Sequence, residues 1–224
     1  MKRTKLTDRK LPDYTKGEEI FNMVSHIVGG AVGICALTLC VVFSALHHNV
    51  YGVVSCAIYG ATMTILYTMS SIYHGLSPRL TAKKVFQIID HCSIFFLIAG
   101  TYTPIALCSL REQVTWAGWT VFGVIWGLCA VGVVFNAIDL KKYEKFSMIC
   151  YLGMGWMIIL CAKMTYQALG IGGCVFLLAG GIMYTAGAVL YRIGIKKRYI
   201  HSVFHLFVVA GSILHMFMIL FYVV

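Results

Sequence analysis

The spacing of the charges constrains this chain more than any other feature. Short clusters of Lys, Arg, Asp and Glu are separated by apolar runs of roughly 18–24 residues, long enough for a helix rising about 1.5 Å per residue to cross ~30 Å of hydrocarbon. A soluble domain could not hide such runs, because 60% of the 224 residues are hydrophobic and only 12% are charged, too few to cover an aqueous exterior. The pattern predicts an all-α integral membrane protein, a seven-transmembrane helical bundle. The expected spans are 22–46, 50–74, 87–107, 116–138, 146–162, 171–191 and 200–224. Ahead of this transmembrane domain (22–224) lies a basic segment, 1–21.

Orientation follows from the loops. With the N-terminus in the cytoplasm, all but Arg111 and Lys163 of the 18 Lys and Arg fall on the inner side, from Lys2 and Arg3 at one end to Lys196, Lys197 and Arg198 before the last span. An even number of spans would break this alternation, so the odd count and the orientation support each other, with the C-terminus outside. The net charge of +10 therefore reads as a positive-inside bias facing anionic lipid headgroups, and nucleic acid is excluded as a partner. The first apolar span is too long for the core of a cleavable signal peptide, and polar residues precede it. The nine cysteines are scattered through apolar spans without a CxxC pair, as small buried hydrophobes. Two pairs of glycines, Gly29 with Gly33 and Gly123 with Gly127, have the spacing that lets membrane helices approach closely.

Ionisable side chains inside a span are costly and mark function. His201 and His205 stand at i and i+4 at the start of the last span, one turn apart on one face. His74 ends the second span, with Ser70 one turn before it, and Asp90 opens the third. The topology puts His74, Asp90, His201 and His205 at the cytoplasmic end, so groups on three helices share one depth. Three imidazoles with one open position form the ligand set of a catalytic zinc. Such a metal would lower the pKa of its water from about 15.7 to roughly 7. Asp90 would serve as general base or partner of that water, and Ser70 would orient a ligand or donate to an oxyanion. Taken singly these residues have plainer readings: His74 as an interfacial anchor, Asp90 as a helix cap, Ser70 as a packing residue.

The remaining histidines carry less. His91 points about 100° away from Asp90 on its helix and is a reserve ligand. His26, with Asn22, Glu18 and Glu19 before it, is placed to support the ligands or to anchor the first span. His215, about 280° round from His205, belongs to packing. His47 and His48 form a solvated turn on the far side.

The run Glu19-x-x-Asn22-x-x-Ser25-His26, then Ser70-x-x-x-His74, then Asp90 with Gly100 and Pro104, and finally His201-x-x-x-His205 leading into Leu206-Phe207-Val208-Val209-Ala210 resembles the hemolysin III family, the bacterial branch of the progestin and adipoQ receptor group. The motifs occur in order from about Gly17 to the end. The resemblance implies seven helices and a zinc near the cytoplasmic face held by His74, His201 and His205, with Asp90 as the acid on the water and Ser70 beside it. Broader relatives, adiponectin receptors and alkaline ceramidases, are associated with hydrolysis of the ceramide amide, and the hemolysin name implies membrane lysis. The chain lacks the receptors' long cytoplasmic head, so adiponectin binding does not carry over. Three functions follow as expectations: a zinc-dependent hydrolase of a lipid amide or ester at the inner leaflet, acting on a sphingolipid- or fatty-acyl-like membrane lipid; a membrane-lytic cytolysin; or a lipid-homeostasis protein in the cell membrane with a structural zinc. The interior spans show little of the polar stripe that a monomeric pore needs.

Overall fold

A computed structural model describes residues 4–194 and 197–224; Lys2, Arg3 and Lys196 lie outside the described residues. Apart from residues 4–15 and short links, the described residues are helical, with α1 (Lys16–Leu46), α2 (Val50–Gly75), α3 (Thr81–Pro104), α4 (Thr115–Asp139), α5 (Glu144–Trp156), α6 (Ala162–Gly194) and α7 (Ile200–Tyr222). Six helical stretches are long and apolar enough to cross a membrane, and one of them, Glu144–Gly194, runs through both α5 and α6. Consecutive helices pack side by side, and α1 closes the ring by packing against both α2 and α7.

Local chemistry sets the ends of these helices. Thr15 accepts from the Glu18 backbone N–H while Glu18 accepts from the Thr15 N–H, a capping box that starts α1 six residues earlier than the apolar pattern suggested. Asn49 caps α2 by accepting from the Gly52 N–H at 2.8 Å, so the link His47-His48-Asn49 is a tight exposed turn, as expected. The third helix also begins early, at Thr81. Lys83 is thereby a helical residue, 1% exposed, instead of a loop charge. Asp90 consequently lies well inside α3, which rules out its reading as a helix cap. Pro104 has no N–H to give to the carbonyl one turn back, and the chain passes there into a wider π-helical segment, Ile105–Leu110.

The largest difference from expectation lies between the fifth and sixth spans. The segment expected as a loop is helical: α5 passes through a tighter 3-10 turn, Met157–Cys161, straight into α6. The break falls at Gly170 (φ 62°, ψ −174°), a left-handed backbone that costs glycine little. It divides α6 into 162–169 and 171–194.

The two glycine pairs behave differently. A Cβ on Gly29 would stand 2.5 Å from the Tyr67 ring, and one on Gly33 would meet the Thr64 backbone at 3.0 Å, so α1 and α2 touch through this stripe. A Cβ on Gly123 or Gly127 would meet nothing within 4 Å. The expectation that this second pair packs two helices of the bundle is therefore wrong; their face of α4 is turned outward. All nine cysteines are free thiols; Cys40, Cys56, Cys92, Cys108 and Cys129 are buried as expected, whereas Cys150, Cys161 and Cys174 are only partly buried and Cys35 is exposed.

Gly29→Ala is expected to destabilise the detergent-solubilised protein by about 1–3 kcal/mol through overpacking against Tyr67, while Gly123→Ala leaves stability within about 0.5 kcal/mol. Thermal unfolding of the two variants side by side checks the contrast.

Candidate metal centre

The bundle end at which residues 4–15 lie gathers the buried polar groups of α1, α2, α3 and α7. His74, His201 and His205 are all buried, and one ligand nitrogen from each lies within 4.8 Å of the other two. His201 and His205 bring their Nε2 atoms to 3.1 Å.

The second nitrogen of the rings fixes what the first can do. The His74 Nδ1–H donates to Glu19 Oε2 at 2.7 Å, so its lone pair is on Nε2, which is buried and has no hydrogen-bond partner. The His205 Nδ1–H donates to the Asn22 carbonyl at 3.3 Å, with the Ser25 hydroxyl 3.4 Å away. Its lone pair too is on Nε2. A tetrahedral cation with ligands at about 2.0–2.1 Å sets neighbouring nitrogens about 3.3–3.4 Å apart, close to the His201–His205 spacing. An orphaned, desolvated lone pair on His74 aimed at such a pair fits a divalent cation with imidazole ligands, and the hydrogen bonds to Glu19 and Asn22 are of the kind that orient such ligands.

Glu19 is the junction of this end. Its Oε1 lies 2.8 Å from Lys83 Nζ while Oε2 holds His74, and the same ammonium donates to the Leu76 and His74 carbonyls at 2.9 and 3.4 Å, ending α2. Glu18 performs a parallel task between α1 and α7, accepting from the Tyr199 N–H at 2.7 Å and pairing with Arg198 at 3.3 Å.

Ser70 lies on α2 and Asp90 on α3. Both line one cavity with His201 and His205. His26 is not a ligand by geometry. Its ring stacks face-on against His205, with centroids 3.7 Å apart and planes 13° apart, so a ring face and not a nitrogen meets the triad. His91 turns away, as its helical angle predicts: Nδ1 is bonded to the Gln87 carbonyl at 2.8 Å, leaving Nε2 to accept from Tyr191 at 3.3 Å. With its lone pair occupied it is no reserve ligand. His215 packs beside Tyr184 and donates through Nε2 to the Leu177 carbonyl at 3.1 Å, and it also lines the far end of the cavity.

Tyr14 and Lys83 were not anticipated. Tyr14 stacks on His201 with centroids 4.9 Å apart. Burial, reinforced by Tyr191, Glu19 and Asp90, pushes its hydroxyl well above the usual range and keeps it a protonated donor. The capping box at Thr15 and Glu18 would have pointed to Tyr14 as the residue that turns into α1.

The cavity has a volume of about 690 Å³. It runs along α7 from His201 to His215, about 21 Å at 1.5 Å per residue. Leu152 of α5 and Leu178 of α6 both line it.

A bundle of long apolar helices around a buried histidine triad defines the class: a polytopic membrane protein with a candidate metal centre at one end. The haemolysin-III related family profile matches residues 14–216, and the chain belongs to that family. It is 39% identical over 207 residues to Hemolysin-3 of Bacillus cereus, covering 92% of each chain. It is 36% identical to the Hemolysin-3 homolog of Bacillus subtilis (strain 168), covering 94% of this chain and 97% of that one. The monocyte to macrophage differentiation factor of Homo sapiens is a more distant relative, 26% identical over 80% of this chain and 76% of its own. With this family and this fold, the protein is a multi-pass protein of the cell membrane.

Removing one member of the buried Glu19–Lys83 pair strands the other charge. Lys83→Met is expected to cost about 3–5 kcal/mol, and adding Glu19→Gln to recover a substantial part of it. Thermal unfolding of the two single variants and the double variant measures the coupling; additive losses would contradict it.

Proposed function

We propose that His74, His201 and His205 bind a zinc ion and that the protein hydrolyses an amide or ester of a membrane lipid. The observation carrying this reading is the convergence of three buried imidazoles, with Nδ1 of His74 and His205 engaged so that Nε2 is the ligating nitrogen, beside a cavity that His201 and His205 line. Zinc supplies Lewis acidity and acidifies a water to a pKa near 7. The protein groups do the rest. Glu19 and Asn22 hold His74 and His205 in the ligating tautomer. The Asp90 carboxylate accepts the proton of the attacking water and returns it to the leaving nitrogen or oxygen as the acyl bond breaks. Ser70 holds Asp90 in place, and the protonated Tyr14 hydroxyl is placed as a donor to the developing oxyanion. The apolar cavity takes the acyl chain and excludes water from it.

In this reading the chain spans the membrane seven times, 144–169 and 171–194 each crossing once on either side of the break at Gly170. The triad then lies at the cytoplasmic face and the C-terminus outside, as the distribution of Lys and Arg requires. A second reading, membrane lysis, is favoured by the name of the Bacillus cereus relative, Hemolysin-3.

Protein purified without added chelator is expected to carry near-stoichiometric zinc and to release fatty acid from lipid amides or esters. His205→Ala loses both. Asp90→Asn keeps the metal and loses about 10²–10⁴-fold in turnover, and Glu19→Gln weakens zinc affinity by about 10–100-fold. Zinc content near zero in the wild type would remove the metal site. Zinc with no turnover on any lipid class would leave it structural. Lysis of liposomes that persists in the His201→Ala/His205→Ala double variant would support the second reading.

A further inference from the structure

The rim of the cavity carries a charge pattern that the hydrolase reading does not use. Lys10 of the N-terminal segment, Lys141 from the turn after α4, and Lys197 and Arg198 from the turn before α7 all line it. The acids at the same rim are already answered. Asp13 and Glu18 pair with Arg198 at 3.7 and 3.3 Å, and Glu144 pairs with Arg192 at 3.2 Å. Among the described residues, Lys10, Lys141 and Lys197 make no ion pair. Positive-inside bias explains lysines on this side of the membrane in general. It gives no reason for three of them, from three separate segments, to ring one opening and lack acidic partners.

Beyond that rim the walls change character, through His201 and His205 to Leu66, Ile94, Ile98 and Val208. The order from the rim inward is therefore positive charge, candidate metal, then a mostly apolar channel about 15 Å long from His205 to His215. A volume of about 690 Å³ is within the ~300–1,000 Å³ that accommodates one small ligand.

We propose that the cavity selects a single-chain amphiphile with an anionic head, phosphate or carboxylate, held by Lys10, Lys141 and Lys197. Its chain lies along α7 toward His215. The binding preference stands on the rim and the channel alone; that the acyl linkage lies at His74, His201 and His205 rests on the hydrolase reading. If it lies there, the head leaves toward water and the chain remains in the apolar channel.

The experiment uses the full chain in neutral detergent, in the His205→Ala background so that no turnover interferes. Binding of 1-oleoyl lysophosphatidic acid and of N-oleoylglycine is compared with that of 1-oleoyl lysophosphatidylcholine. Both anionic lipids are expected to bind at least tenfold more tightly at low salt, with the preference shrinking at high salt. Preference for only one of them identifies phosphate or carboxylate as the head. Replacing Lys10, Lys141 and Lys197 together by Gln abolishes the preference while leaving the affinity for the zwitterionic lipid unchanged. Replacing Lys16, Lys142 and Lys145, which carry the same charge away from the cavity, leaves the preference intact. Equal affinity for all three lipids in wild type, or equal loss in the two triple variants, overturns the proposal. Hydrolysis is assayed separately on wild type. Selective binding without turnover sinks only the hydrolase reading, and turnover indifferent to head charge sinks only this one.

Discussion

The proximal end of the bundle depends on one carboxylate. Glu19 on α1 bonds His74 on α2 and Lys83 on α3 with its two oxygens, so three helices meet at a single group. In a membrane bundle each of these side chains would be prohibitively costly alone. Together they satisfy one another, and the remaining Lys83 protons cap the end of α2. The same arrangement that makes the charges tolerable also turns the free nitrogen of His74 toward α7. Stability and the candidate chemistry therefore share one hydrogen-bonded assembly. They cannot be altered independently through Glu19.

Much of this was legible in the sequence because hydrocarbon thickness is a strict ruler. The apolar runs mark most of the helical chain, and the depth they imply brings His74, Asp90, His201 and His205 to one end of the bundle. Helix ends were less legible. Apolarity marks where a span enters lipid, whereas a helix starts where its backbone donors find caps, and Thr15 and Glu18 supply those a turn and a half earlier. Lys83 shows the cost of reading charge alone. In sequence it is one more loop lysine, and only its partner Glu19, 64 residues earlier in the numbering, makes it a buried one.

What periodicity could not carry was the interior. A cavity is produced by how far helices stand apart, and nothing in the apolar pattern of α5 or α6 reports that distance. Around the breaks at Met157–Cys161 and Gly170, α5 and α6 pack only loosely against each other, and both contribute to the cavity wall. Gly123 and Gly127 illustrate the same limit from the other side. Their spacing matches Gly29 and Gly33, yet only the first-span pair has a tyrosine and a backbone waiting across the gap.

The placement of the triad between α2 and α7 also bears on whether a metal there would be structural or chemical. These helices flank α1 and are already tied deeper in the bundle. The Tyr67 hydroxyl lies 2.6 Å from Ser212, which in turn lies 2.8 Å from the Tyr184 hydroxyl. At the proximal end Glu18 links α1 to the start of α7. A cation serving only to staple α2 to α7 would duplicate connections that side chains make without it. It would not require the cavity beside it, or Ser70 and Asp90 together on that cavity's wall. A purely structural site closes all its coordination positions with protein ligands. Here three imidazoles come together, and two of them share a cavity wall with Ser70 and Asp90; three protein ligands are the donor count of an open site.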